Sequence, residues 1–252
     1  MIRVFNHFES LSQSAADIFV DVAEQAIASR GRFSVALSGG NTPRRLHEIL
    51  ATEPYRHQIQ WGAVHVFWGD ERCVPADDPR SNFRMARETL LDHVPIPPGN
   101  IHAVQGNLEP AQAATQYESD LRSFFGDTPP VFDLIFLGLG DNAHTASLFP
   151  HTPVLNETER WVSAVYVAEL DMYRVTFTAP LINQAENVVF LVSGADKACA
   201  LHEVIEGAYQ PRQYPAQLIR PKDGHPIWLV DKAARHKLTV DAEEESAGKN
   251  YE

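Results

Sequence analysis

FSVALSGGNTPRR, residues 33 to 45, is the stretch that decides the architecture. Phe33 to Leu37 is apolar without the strict alternation of a half-exposed strand, as expected for a strand covered on both faces of a parallel sheet. Ser38, Gly39 and Gly40 then interrupt it, and the glycines let the backbone turn tightly. Thr42 and Pro43 read as a helix N-cap and the first helical position. A strand that turns through glycine into a helix is the repeating unit of doubly wound α/β sheets.

Three further runs share this character: Val64 to Trp68, Phe132 to Leu137 and Val188 to Val192. Stretches with helical spacing separate them, at Asn82 to Leu91, Ala111 to Phe125 and Asp196 to Ile205. Upstream, Leu11, Ala15, Ile18, Phe19, Val22, Ala26 and Ile27 form one apolar stripe, which predicts an amphipathic helix over Leu11 to Ser29 ended by Gly31. Trp161 to Val167, Val175 to Thr178 and Ile227 to Val230 could add strands. The expectation is an α/β fold with one doubly wound, mostly parallel sheet and helices on both faces, in a single domain over residues 1–240. The last residues, DAEEESAGKNYE at 241–252, are acidic and nearly free of large apolar groups, so a mobile tail is expected there.

Composition narrows the possible partners. A chain of 252 residues with 44% hydrophobic content can bury one large core. A formal net charge of -12 argues against a broad nucleic-acid surface, which needs a concentrated field of lysine and arginine. The opening MIRVFNHFES has no apolar leader core, and no stretch of about 18 apolar residues occurs, so neither a signal peptide nor a membrane span is expected. Cys73 and Cys199 are too few for a disulfide framework or a cysteine zinc site. A cytoplasmic protein acting on a small ligand is the expectation.

In open α/β sheets ligands bind beyond the carboxyl ends of the strands, so the segments that follow the strands hold the candidates. Ser38, Gly39, Gly40, Asn41 and Thr42 could cradle an anion on the free N–H groups of a helix start, or could be an ordinary turn. No GK[ST] follows at the spacing of a Walker A loop. Asp70 and Arg72, in GDER at 69–72, end an apolar run abruptly and could be either site groups or a salt-bridged strand end. Arg80, Ser81 and Asn82 read as a polar connection with a helix cap.

GLGDNAHTASLFP, residues 138 to 150, is the most informative segment. Gly138, Gly140 and Ala143 fit the spacing of a dinucleotide fingerprint, yet Pro150 and Pro153 leave little room for the helix that fingerprint needs. His144 is the only one of the 11 histidines that directly follows a glycine-rich strand end, and an ordinary imidazole pKa near 6.5 suits a general base. Ser147 lacks the GxSxG elbow of an activated nucleophile. Lys197, in SGADKA at 193–198, stands in the first turn of a helix, where a cation makes better sense if an anion shares the site. Arg174, which opens RVTFT, is a second such cation.

Taken together, SGGNTP, GDER with SNFRMA, GLGDNAHTASLFP, RVTFTAPLIN and SGADKA resemble, in order, the signature segments of the 6-phosphogluconolactonases, from about Leu11 to Lys232. The resemblance implies a modified Rossmann-type fold, shared with glucosamine-6-phosphate deaminases and ribose-5-phosphate isomerases. It also implies hydrolysis of a phosphorylated sugar lactone in the oxidative pentose phosphate pathway, with no metal or organic cofactor; that no nucleic-acid or membrane partner is expected follows from the charge and hydropathy above. By the same resemblance His144, Asp70 and Arg72 are catalytic, while Ser38, Gly39, Gly40, Asn41, Thr42, Lys197 and Arg174 hold the phosphate. One departure stands out: Asn142 and Ala143 occupy positions where the commoner pattern, GxGxDGHTASLFP, has Asp and Gly.

Two other readings are open to test. The related deaminases resemble GxDGHIAFNEP at the third segment and use its glutamate in catalysis, whereas this chain has SLFP and no acid before Glu157. A non-catalytic sugar-phosphate sensor would need a DNA-binding module, and no basic cluster or spare helix-turn-helix is apparent.

Overall fold

The computed structural model describes residues 1–126, 129–222 and 224–244. Its strands are β1 (Ile2–Phe5), β2 (Phe33–Leu37), β3 (Val64–Trp68), β4 (Asp70–Arg72), β5 (Leu134–Gly138), β6 (Val162–Val167), β7 (Met172–Phe177), β8 (Val188–Val192), β9 (Ile227–Asp231) and β10 (Glu243–Glu244). The α-helices are α1 (Phe8–Arg30), α2 (Asn41–Leu50), α3 (Tyr55–Gln58), α4 (Asn82–Thr89), α5 (Pro110–Phe125), α6 (Ala179–Ile182), α7 (Ala198–Ile205) and α8 (Lys232–Arg235).

A seven-stranded sheet in the order β10-β1-β9-β8-β5-β2-β3 is parallel at every pairing. The apolar runs explain its middle: β2 and β8 are buried along their whole length, which is why neither alternates. α1 packs with α2 and against β2, β8 and β9. His7 caps α1 by accepting from Ser10 N–H, and Gly31 ends it at φ 71°, as the stop signal requires.

The chain runs outward from β2 to β3 and then crosses back to lay β5 on the other side of β2. At such a reversal the loops that leave the two strands diverge and open a crevice. Those loops are Ser38–Gly40 after β2 and Leu139–His144 after β5, two of the segments marked by their sequence.

Of the three additional strands, only Ile227–Asp231 joins the parallel sheet; β6 and β7 instead form a separate antiparallel sheet in the order β4-β7-β6. GDER is therefore not a loop at a strand end, because Asp70–Arg72 is a strand of this second sheet. Gly69 is the junction. Its N–H donates to Leu37 O at 2.9 Å in the main sheet, and its carbonyl accepts from Phe177 N at 2.8 Å in the small one. Aromatic rings bind the two sheets together, with Phe67 against Phe132 (5.2 Å between centroids) and Phe132 against Phe177 (5.3 Å). α5 lies on the small sheet, contacting β6 and β7, and its Tyr117 hydroxyl takes the N–H of Trp68 at 2.8 Å.

Strands at both described ends of the chain join the main sheet. Ile2–Phe5 is a strand beside β9, although four residues with an arginine among them give no readable pattern. Glu243 and Glu244 pair with β1, so the acidic stretch at 241–252 begins as a sheet edge, and its residues 245–252 lie outside those described. Among the described residues, no helix is long and apolar enough to cross a membrane.

Inside α2, His47 is fully buried, and burial pushes its pKa down to about 3. The folded state keeps this imidazole neutral where the unfolded chain would protonate it, so no stability is lost above about pH 6.5. Below that, stability should fall by about 1.4 kcal/mol per pH unit for one such histidine until the folded pKa is reached. The thermal midpoint of His47→Gln should therefore drop less steeply between pH 6.5 and 4 than that of the parent protein; parallel slopes would exclude the effect.

Candidate active site

The ten residues to which the resemblance gives a catalytic or phosphate-binding role all line one pocket of about 410 Å³ above the β2/β5 crevice. Its first wall is the turn after β2. α2 begins at Asn41, not after Thr42, because Gly40 is the capping residue at φ 109°, where a side chain would be strained. No side chain among the described residues caps this helix, and its first residues, Asn41, Thr42 and Pro43, line the pocket, so uncapped helix-start N–H groups stand at its wall. Gly39 is needed for a different reason: an added Cβ would stand 1.9 Å from Asn82 Oδ1. Ser38 is buried, and its hydroxyl has no hydrogen-bond partner among the described residues.

The second wall comes from the small sheet. Arg72 on β4 lies directly across from Arg174 on β7. Like charges in cross-strand register repel, so this arrangement favours an anion between or beside them. Arg174 is buried, which pushes its pKa down, and its neighbour Arg72 pushes the same way while Asp70 opposes both. Asp70 Oδ2 lies 3.4 Å from Arg174 Nη1 and accepts from the Ser147 hydroxyl at 2.6 Å. The Nε atoms of both arginines are buried without a partner among the described residues. Buried, unsatisfied cationic donors lining a cavity are what a phosphate or carboxylate ligand would satisfy.

Glu71, between them, is spent on structure. Its carboxylate accepts from Ser81 Oγ at 3.0 Å and from the N–H groups of Asn82 and Phe83 at 2.7 Å, fastening the start of α4 to β4. Ser81 is the N-cap its sequence suggested, accepting from Arg84 N at 3.1 Å.

The third wall is the loop after β5. No helix follows this strand before the short 3-10 turn Pro153–Asn156, so the glycine spacing here does not build a dinucleotide fingerprint. The loop is held in strained backbone instead, with Ala143, Ala146 and His151 at φ 61°, 48° and 60°. His144 stacks on Phe149 with ring centroids 4.0 Å apart. Gly140 makes room for that imidazole, since an added Cβ would sit 2.0 Å from its Nδ1.

Asn142 settles the tautomer. Its Oδ1 lies 3.1 Å from the His144 backbone nitrogen, which can only donate, so this atom is the amide oxygen rather than the NH₂. The same oxygen is 2.6 Å from Nδ1, which must then carry the proton and leave Nε2 as a free acceptor. Burial pushes the imidazole pKa down to about 4, with Arg174 and Lys197 adding to the effect and Asp70 and Asp141 opposing it. The ordinary value near 6.5 expected for a general base is thus not met.

The family model described as glucosamine-6-phosphate isomerases/6-phosphogluconolactonase matches residues 6–228. The chain belongs to this family. A Synechocystis sp. protein named 6-phosphogluconolactonase is 50% identical over 219 residues, covering 85% of this chain and 88% of the relative. A Haemophilus influenzae protein of the same name is 40% identical over 200 residues, 79% and 85% of the two chains. The 6-phosphogluconolactonase structure from Trypanosoma cruzi superposes with a TM-score of 0.85 at 29% identity, over 95% of this chain and 97% of that one.

Within this glucosamine-6-phosphate isomerase/6-phosphogluconolactonase family member, Lys197 is the capping residue of α7, at the end of the 3-10 turn Ala195–Lys197 rather than in the helix's first turn. Gly194 takes φ 105°, and Asp231 fastens the turn by accepting from Ser193 Oγ at 2.5 Å and Gly194 N at 3.1 Å. Lys197 Nζ pairs with Asp196 at 2.9 Å on the pocket rim. Asn82 and Ser147 read in the sequence only as part of a capped connection and as a serine without a nucleophile motif, and Asp231 carries no signal there. Only the fold reveals that each fixes a wall of the pocket.

Proposed function

We propose that the protein hydrolyses 6-phospho-D-glucono-1,5-lactone to 6-phospho-D-gluconate, as the names of its relatives suggest. The observation that carries the reading is the free Nε2 of His144, in a pocket also lined by two arginines whose buried Nε atoms have no partner among the described residues. Nε2 takes a proton from water as the water oxygen attacks the lactone carbonyl. The tetrahedral intermediate then collapses with cleavage of the carbonyl carbon to ring-oxygen bond. The proton passes from His144 to that leaving oxygen, which becomes a hydroxyl.

Arg174 lies against Phe149, with its guanidinium carbon 5.6 Å from the ring that carries His144. It is therefore better placed for the developing oxyanion than for the phosphate to which the sequence resemblance assigned it. Arg72, the start of α2 and Lys197 remain for the phosphate. Asp70 holds Arg174 in place. A lactone is already reactive in water, so a base and a charge stabiliser are sufficient without a covalent nucleophile. Phe149 stands in the SLFP segment, where the deaminases have their catalytic glutamate, and this favours hydrolysis over deamination.

The test is the loss of freshly generated 6-phosphogluconolactone, followed against the spontaneous rate. A rate no faster with the protein than without it would reject the reading. Lys197→Ala should raise KM by about 10- to 150-fold with kcat little changed, as expected for a charge-assisted contact worth about 1.5–3 kcal/mol that is equal in ground and transition states. An unchanged KM would remove Lys197 from the phosphate site. The net charge of -12 and the pocket's small size fit a cytoplasmic enzyme of small metabolites rather than a nucleic-acid or membrane binder.

A further inference from the structure

The carboxylate that would neighbour His144 in the commoner pattern is an amide here, and an amide is ambiguous in a way that a carboxylate is not. Rotated by half a turn, Asn142 would present NH₂ to the imidazole. Nδ1 would then accept, Nε2 would carry the proton, and the base would be lost. Something must hold the amide in the productive orientation. Part of that hold is local, from the His144 backbone N–H on Oδ1. The remainder reaches across from the small sheet, where Glu169, in the 3-10 turn Ala168–Leu170 between β6 and β7, accepts from Asn142 Nδ2 at 3.4 Å.

We propose that Glu169 is a positioning residue for the reaction: it engages the NH₂ of Asn142, keeps the amide oxygen on His144 Nδ1, and thereby fixes Nε2 as the proton acceptor. The inference rests on the reading of His144 as the base. Glu169 is exposed, so its hold is screened and the effect is moderate, but its sign depends on residue 142. Beside an amide, a carboxylate at 169 orients. Beside a second carboxylate it repels. The groups that set the charge around His144 come from each wall of the site: Asp70 from β4, Arg174 from β7, Asp141 from its own loop, Lys197 from the turn before α7, and Glu169 through Asn142.

The experiment compares the parent, Glu169→Ala, Glu169→Gln, Asn142→Asp and Asn142→Asp/Glu169→Gln proteins. It measures kcat and KM for the lactone from pH 5 to 8, together with the imidazole ¹⁵N resonances of histidine-labelled protein. The His144 signals are identified by their loss in His144→Gln. Glu169→Ala should lower kcat about 3- to 10-fold with KM unchanged, and should move the Nε2 resonance from the unprotonated position toward the average of two tautomers. Glu169→Gln, which keeps an acceptor oxygen, should fall between parent and Glu169→Ala. In the Asn142→Asp background the sign should reverse, with Glu169→Gln raising kcat, because glutamine can donate to the new carboxylate and no longer repels it. An unchanged kcat in Glu169→Ala, or a reduced kcat with an unchanged tautomer signal, would overturn the proposal. Full turnover in His144→Gln would instead overturn the base reading on which it rests. Inactive His144→Gln with indifferent Glu169→Ala would overturn this inference alone.

Discussion

His144→Gln should lower kcat for 6-phosphogluconolactone by about 10² to 10⁴-fold while KM changes little. Glutamine approximates the reach of the imidazole and can hydrogen-bond the water, but it cannot take its proton. A loss of that size corresponds to about 2.7–5.4 kcal/mol of the barrier, against about 1.5–3 kcal/mol for a single phosphate contact. The proposed phosphate anchor lies on other elements, at the start of α2 and in the turn before α7, so ground-state binding should survive. Because His144 also fills space against Phe149, the variant's thermal midpoint and circular dichroism must be measured alongside its rate. A folded variant with parental turnover would exclude the base role.

The pH dependence of the parent protein carries an independent sign. A base must be neutral to accept a proton, and burial holds the His144 pKa at about 4. kcat/KM, which reports the free enzyme, should therefore stay level from pH 8 to about 5 and fall only as pH approaches 4, after spontaneous hydrolysis is subtracted. Binding of an anionic substrate beside the imidazole favours the protonated form, so the limb of kcat should lie at higher pH than that of kcat/KM. A limb of kcat/KM centred near 6.5, beyond what titration of the substrate's own phosphate at about pH 6 explains, would mean that the imidazole is solvated in the working enzyme.

The middle of the central sheet was legible because its strands are largely buried and bounded by glycine turns, so FSVALSGG, VHVFWG, LIFLGLG and VVFLVSG carry the same mark. The topological reversal between β2 and β5 then explains why the informative segments meet in space. What escaped was β4 and the separate sheet it forms with the β6–β7 hairpin. β4 pairs with β7 across a long separation, Asp70 with Thr176 for example, and such pairing leaves no local period. With it went the meaning of GDER, which reads as a strand end but is a strand in itself. Asn142 is the opposite case: the departure was visible in the sequence, but its consequence depends on Glu169, brought close by the turn of a sheet that local sequence does not announce.

That second sheet also gives Arg174 its importance. Arg174→Met should destabilise the protein by about 3–5 kcal/mol, because it leaves the Asp70 carboxylate buried with the Ser147 hydroxyl but without its cationic partner. Activity should also fall steeply if Arg174 meets the oxyanion as proposed. Asp70→Asn/Arg174→Met separates the two effects. With both charges removed the burial penalty disappears, so the thermal midpoint should recover most of its loss, while turnover should not recover at all. A double variant that regained both stability and activity would reduce the pair to a structural salt bridge. Arg72→Lys, one strand away, tests the other half of the guanidinium pair. Lysine preserves the charge but not the planar fork, so if Arg72 grips phosphate through two parallel bonds KM should rise although the net charge of the pocket is unchanged. Parental KM in Arg72→Lys, combined with collapse of activity in the double variant, would place the whole of the directed recognition on Arg174 and leave Arg72 as a general positive charge.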